Sequence, residues 1–110
     1  MKALVTGATG FIGRRLVERL LNDGVAVTAR VRNERHGLPE GVQTVCGDIL
    51  EPGSLRESGS GCDRLYHLAA LITFDPRRRA ELLRVNGEGT THLLSAARRW
   101  NIERTVVVSS

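Results

Sequence analysis

The chain has 110 residues, 41% of them hydrophobic and 25% charged, with a formal net charge of +4 at pH 7. That length admits one modest domain and excludes two, and the composition excludes a disordered chain. The positive charge is carried almost wholly by arginine, with Lys2 the only lysine. A basic balance without interleaved aromatic residues points to an anionic small ligand and away from nucleic acid. The one arginine triplet, Arg77-Arg78-Arg79, follows Asp75-Pro76 and is expected at a solvated helix start. Cys46 and Cys62 stand in no metal-ligand spacing and are expected as unbridged thiols of a reducing, cytoplasmic compartment. No apolar stretch approaches the roughly 20 residues of a membrane span. The apolar run after Lys2 is broken at once by Gly7 and Gly10, so the N-terminus does not read as a signal peptide.

Strand and helix periods alternate along the chain. Lys2 to Val5 reads as a buried strand and Phe11 to Asp23 as a helix. Ile12, Leu16, Val17, Leu20 and Leu21 are placed on its inner side, and Arg14, Arg15, Glu18, Arg19 and Asn22 outside. Gly24 ends it. Val25 to Val31 is the second strand, with Val25, Val27, Ala29 and Val31 on one face and Thr28 and Arg30 on a polar one. Asn33 to Gly41 reads as loop, Val42 to Cys46 as the third strand, and Glu51 to Ser58 as a short helix containing Pro52. Leu65 to Leu68 is the fourth strand. A long helix follows from about Pro76 to Trp100, with Leu82, Asn86, Thr90, Leu93 and Ala97 on its inner stripe, and Thr105 to Val108 is the fifth strand.

Such alternation predicts parallel pairing through right-handed crossovers. The expected fold is a doubly wound α/β parallel sheet, Rossmann-like, with five strands in the order 3-2-1-4-5 and the switch point between the first and fourth. Thr6 to Gly13 read TGATGFIG, directly after the first strand and directly before the first helix. A glycine turn opening a helix aims backbone N–H groups and the positive end of a helix dipole at one point, which suits a phosphate. Gly7 serves the tight turn, Gly10 the approach of a pyrophosphate, and Gly13 close helix–strand packing, with Phe11 and Ile12 at the start of the helix.

With these segments in order, the sequence resembles the extended short-chain dehydrogenase/reductases, the NAD(P)-dependent epimerase/dehydratase group. TGATGFIG is similar to that family's TGxxGxxG loop. Gly47-Asp48-Ile49 resembles its GD step beside the adenine, which assigns Asp48 and Ile49 there. Tyr66-His67-Leu68-Ala69-Ala70 resembles its HxAA element, which brings Leu68, Ala69 and Ala70 to the pyrophosphate and nicotinamide ribose. Val85 to Thr90 is similar to its VNxxGT helix, which makes Asn86 a cofactor-side residue or an inward-facing clamp. His67 is expected to be a packed residue without a catalytic role.

The end of the second strand bears on the choice of cofactor. An acidic residue there accepts from the ribose hydroxyls, whereas an arginine pairs with a 2′-phosphate. Val31 is followed by Arg32 and Asn33, with Arg30 and Arg35 nearby, so NADP is favoured over NAD and Arg32 is its phosphate partner. Glu34 is the competing residue, able to reach a ribose hydroxyl if the loop is shifted.

The resemblance implies catalysis by a serine or threonine with a Tyr-x-x-x-Lys pair. The only tyrosine, Tyr66, has Ala70 four residues on, and Lys2 lies on the first strand. These residues are therefore expected to be a cofactor-binding part, truncated before the catalytic pair and the substrate-binding part, with no catalytic and no metal-ligating residue of their own. The function expected is the NAD(P)(H)-binding portion of an oxidoreductase, epimerase or dehydratase acting on a hydroxyl or carbonyl substrate. The alternative is a naturally short, non-catalytic NADP-binding or sensing module. No nucleic-acid or membrane partner is expected, and a homodimeric parent stays open. Leu71 to Phe74 mildly resembles the dihydroflavonol-reductase and hydroxysteroid-dehydrogenase branches, with a nucleotide-sugar epimerase equally open. The fifth strand is expected to leave an apolar edge that favours association.

Overall fold

The computed structural model describes residues 1–31, 37–48, 50–55, 58–68 and 75–108. Five strands, β1 (Lys2–Thr6), β2 (Ala26–Val31), β3 (Gln43–Cys46), β4 (Arg64–His67) and β5 (Arg104–Val107), form one sheet in the order β3-β2-β1-β4-β5. All four pairings are parallel. The order is the expected one, and the chain reverses its direction of winding between β1 and β4. The crevice above that pair, at the carboxyl ends of the strands, is where open α/β sheets bind ligands.

Parallel strands need both faces covered, and two apolar clusters cover them. On one face Ala3, Val5, Val27, Ala29 and Val31 meet Ala8, Val17 and Leu20, the last two from α1 (Phe11–Asn22). On the other, Leu4 and Leu65 meet Leu55 of α2 (Pro52–Leu55) together with Leu93, Ala96 and Ala97 of α4 (Thr90–Arg99), and Trp100 just beyond it. α1 ends as expected: Gly24 N–H donates to Leu21 O at 3.0 Å and Val25 N–H to Leu20 O at 2.9 Å, the paired bonds that close a helix over a glycine.

Thr28 and Arg30, on the polar face of β2, are buried all the same, at 2% and 6% exposed. Two expectations need correction. Ile12 is 61% exposed at the first turn of α1, and Gly13, Val17 and Leu20 carry the buried stripe. The long C-terminal helix is composite: a 3₁₀ turn (Pro76–Arg78), α3 (Arg79–Leu83), a π-helical segment (Arg84–Gly89) and α4. A π turn inserts one extra residue, which rotates everything upstream by about 100°. Val85 and Gly89 are therefore buried, and Asn86 is exposed instead of lying inward.

The arginine triplet sits as expected at the solvated start of this helical run, where Arg77 pairs with Asp75 at 3.1 Å and Arg78 with Glu81 at 2.9 Å. The hydrogen bonds from Arg77 hold the Asp75 carboxyl below its usual pKa. Among the described residues β5 pairs with β4 alone, and Val106 and Val107 are 40% and 43% exposed. Among the described residues no helix is long and apolar enough to cross a membrane.

Candidate functional site

The glycine turn follows β1 directly. Gly7 takes φ +71°, a conformation that L side chains rarely adopt, and accepts from Gly10 N–H at 3.1 Å to close the turn. Gly13, in the first turn of α1, sits so close to this loop that an added Cβ would stand 2.8 Å from Ala8 Cα and 2.8 Å from Gly7 C, and nearer still to Gly7 O. The missing side chain is thus what lets helix and turn touch. At Gly10 a Cβ would meet nothing nearer than Gly7 O at 3.4 Å, and the residue is exposed, so the surface over it is open.

The first helical hydrogen bond runs from Arg14 N–H to Gly10 O at 2.9 Å. The N–H groups of Phe11, Ile12 and Gly13 precede it and have no partner within the helix. Among the described residues no side chain caps the helix, and no acidic residue lies in its first turn. An open glycine surface beside uncapped amides at the positive end of a helix dipole fits a pyrophosphate. Phe11 and Ile12 are exposed around it, and the Arg15 guanidinium lies 5.0 Å from the Phe11 ring centroid.

On the β3 side, Gly47 N–H donates to Val31 O at 3.2 Å and Arg30 Nη1 donates back to Gly47 O. These bonds join the ends of β2 and β3. Asp48 is half-buried, and its Oδ1 accepts from Leu50 N–H at 2.9 Å, which orients the carboxylate. On the β4 side, Leu68 is half-buried and its N–H donates to Thr6 O at 3.1 Å. Gly7, Gly10, Phe11, Ile12 and Gly13 thus gather at the end of β1, Asp48 at the end of β3, and Leu68 at the end of β4. Arg32, Ile49, Ala69 and Ala70 lie outside the described residues. Asn86 is on the exposed side of the π segment.

The register brings together residues that the sequence reading had not linked. Val45, Arg30, Thr6, His67 and Val107 are aligned across the sheet and share one face. Thr6 Oγ1 lies 2.6 Å from His67 Nδ1, and His67 Nε2 lies 2.9 Å from Thr90 Oγ1. A neutral imidazole can donate from one nitrogen and accept at the other, so the two hydroxyls use both. Burial, and then the Arg30 charge, holds His67 below its usual pKa and so in that neutral form. His67 is the packed residue expected; Thr6 and Thr90 are what it packs with. The clue available from sequence was the count back from the strand ends, which sets Thr6 opposite His67. Among the described residues no group of His, Cys, Asp or Glu is arranged to hold a metal ion.

The sequence profile of the NAD dependent epimerase/dehydratase family matches residues 3–110, essentially the whole chain. The chain belongs to that family. Among its curated relatives, sterol demethylase protein B of Methylococcus capsulatus is 40% identical over all of this chain and 34% of its own length. A 4-hydroxy-2-methyl-3-oxo-4-farnesyl-3,4-dihydroquinoline-1-oxide ketoreductase of Stigmatella aurantiaca is 39% identical, again over 100% of this chain and 34% of that protein. A short-chain dehydrogenase/reductase superfamily protein from Agrobacterium tumefaciens, solved with bound NAD, superposes with a TM-score of 0.87. It is 31% identical, with all of this chain matching 33% of that one. The chain therefore spans about a third of the length of these epimerase/dehydratase-family relatives.

Proposed function

We propose that this chain is the NAD(P)(H)-binding portion of an oxidoreductase, epimerase or dehydratase acting on a hydroxyl or carbonyl substrate, with NADP favoured over NAD. The observation that carries the reading is the open, uncapped start of α1 behind the glycine turn, at the β1–β4 switch point. In this reading Gly7, Gly10, Phe11, Ile12 and Gly13 surround the pyrophosphate. Asp48 and Ile49 border the adenine, and Leu68, Ala69 and Ala70 border the nicotinamide ribose. Arg32 meets the 2′-phosphate. Asn86 joins as an exposed polar side chain four residues before Thr90, whose hydroxyl reaches His67 at the end of β4.

The bound dinucleotide would supply hydride transfer, and these residues would hold and orient it. They carry no matching proton-transfer pair. The Tyr66 ring packs on the α1 side of the sheet and its hydroxyl accepts from Arg64 Nη1 at 3.4 Å. Val5 is the register partner of Tyr66, so Lys2 lies three residues, about 10 Å, back along β1. A lysine lowers a tyrosine pKa only from close range. We therefore assign proton transfer and substrate choice to parts of the protein outside these residues, in keeping with relatives about three times as long.

Calorimetric titration of the purified protein with NADP+ and NAD+ tests the reading. NADP+ should bind more tightly, and Arg32→Ala should weaken NADP+ by roughly 10-fold or more while changing NAD+ by less than about threefold. Equal losses for both cofactors would sink the NADP assignment, and binding of neither would sink the function.

A further inference from the structure

Thr90, His67 and Thr6 form a chain of hydrogen bonds from the start of α4 to the last residue before the glycine turn. Thr90 Oγ1 lies 2.9 Å from His67 Nε2, and His67 Nδ1 lies 2.6 Å from Thr6 Oγ1. Thr6 and His67 are 0% and 3% exposed, so water does not compete for the bond between them. Thr90 is the first residue after the π segment, and its hydroxyl reaches across to β4. Its neighbour Thr91 donates to the carbonyl four residues back, Gly87 O at 3.1 Å, the usual use of a helical hydroxyl. At the other end Thr6 is held to β4 twice, by its side chain and by its carbonyl, which accepts from Leu68 N–H at 3.1 Å. The next residue is Gly7, whose φ of +71° begins the turn. Packing alone does not call for polar groups here: Leu65, two residues before His67 on the same face, is buried in an apolar cluster.

We infer that Thr90 and His67 are positioning residues for the bound dinucleotide, acting through Thr6 on the glycine turn, an inference that rests on the dinucleotide reading above. Backbone N–H groups hold a phosphate well only when they already point at one spot, because ordering left to the moment of binding is subtracted from the affinity. Thr6 is the entry to the turn, so a Thr6 side chain fixed against β4 and α4 fixes the direction in which the chain enters Gly7. The anchors at the far end lie on a strand and a helix, which hold a site more precisely than a loop holds itself. The effect falls on the pyrophosphate, which NAD and NADP share, and is therefore equal for the two.

The test uses the purified protein and its T90V, T90S, T6V and T6V/T90V variants. Dissociation constants for NAD+ and NADP+ are read by calorimetry at neutral pH, and melting curves report folding. Valine keeps the shape of threonine without the hydroxyl, and serine keeps the hydroxyl. T90V should weaken both dinucleotides alike, by roughly 5- to 10-fold, and T90S should stay within about twofold of wild type. Because Thr90 acts only through His67 and Thr6, the double variant should bind within about twofold of T6V alone. H67Q takes the place of whichever valine variant does not fold, with the same expectation. Thr28→Val is the control, since among the described residues Thr28 Oγ1 is buried without a partner on the same face of the sheet. It should leave both affinities within about twofold of wild type. A lowered melting temperature with unchanged affinities in T90V overturns the positioning role and leaves the proposed function standing. So do losses that add in the double variant, a loss confined to one dinucleotide, no rescue by T90S, or an equal loss in Thr28→Val. Wild-type protein that binds no dinucleotide overturns both.

Discussion

Gly13 and Gly10 stand three residues apart in one motif, yet an added Cβ meets very different surroundings at the two positions. Replacing Gly13 by alanine would put a Cβ 2.8 Å from Ala8 Cα and Gly7 C, and closer to Gly7 O, all of them backbone atoms that no rotamer change can move. Over-packing of this kind costs about 1–3 kcal/mol, and a clash with three backbone atoms belongs at the upper end. Alanine regains about 1 kcal/mol over glycine inside a helix, which leaves a net loss of about 2 kcal/mol. For a domain of this size that is a fall of about 8–16 °C in Tm. Gly10 has φ −75° and ψ 173°, a conformation any residue adopts, and its added Cβ would meet only Gly7 O at 3.4 Å. Gly10→Ala should change stability by no more than about 0.5 kcal/mol. Its methyl group would nevertheless stand in the path of the pyrophosphate and weaken NADP+ by roughly 10-fold or more. Circular-dichroism melts and calorimetric titration read the two effects separately. Gly13→Ala melting with wild type, or Gly10→Ala melting as low as Gly13→Ala, would refute the packing argument. Unchanged NADP+ affinity in Gly10→Ala would refute the placement of the pyrophosphate.

His67 should make stability depend on pH. Its native pKa is held below the usual 6.5, so the unfolded chain binds the proton more readily; the stabilisation is complete above pH 6.5 and is lost as the pH falls through the native pKa. Between the two pKa values the slope is about 1.4 kcal/mol per pH unit, and the stability difference between wild type and His67→Gln should follow it in urea titrations at pH 5–8; a pH-independent difference would contradict the buried neutral imidazole. The two thiols should differ sharply in reactivity, because Cys46 is exposed and Cys62 is buried with its pKa pushed up by that burial. A thiol reagent at pH 8 should label Cys46 in Cys62→Ala quickly and Cys62 in Cys46→Ala at least about 10-fold more slowly, and equal rates would contradict the packing of Cys62. Gly59→Ala should lower stability by about 1–3 kcal/mol in denaturant titration, since its Cβ would stand 2.8 Å from Cδ2 and Cζ3 of the Trp100 indole; an unchanged midpoint would show that the ring shifts freely.

The amino-acid sequence by itself determined the succession of strands and helices, the strand order and the place of the glycine turn between β1 and α1. Each follows from local causes: period-2 and period-3.6 apolar patterns, glycines where a turn or a helix end needs them, and the handedness of parallel crossovers. Boundaries moved by about a residue, with β3 beginning at Gln43 and β5 at Arg104; α2 is described over Pro52–Leu55, and residues 56 and 57 lie outside the described residues. What only the tertiary structure decided depends on partners far apart in the chain. Thr28 and Arg30 read as a polar face in isolation, and the fold buries both. Thr6, His67 and Thr90 join only once the β1–β4 register and the seating of α4 are both set. A straight-helix count turns Asn86 inward, and the π segment turns it out while burying Val85 and Gly89. Arg14 reads as one more solvated arginine until Thr9 O, before it in the chain, and Gly37 O, well after it, come within its reach. Periodicity reports which way a side chain leaves its own element; what it then meets depends on contacts between elements.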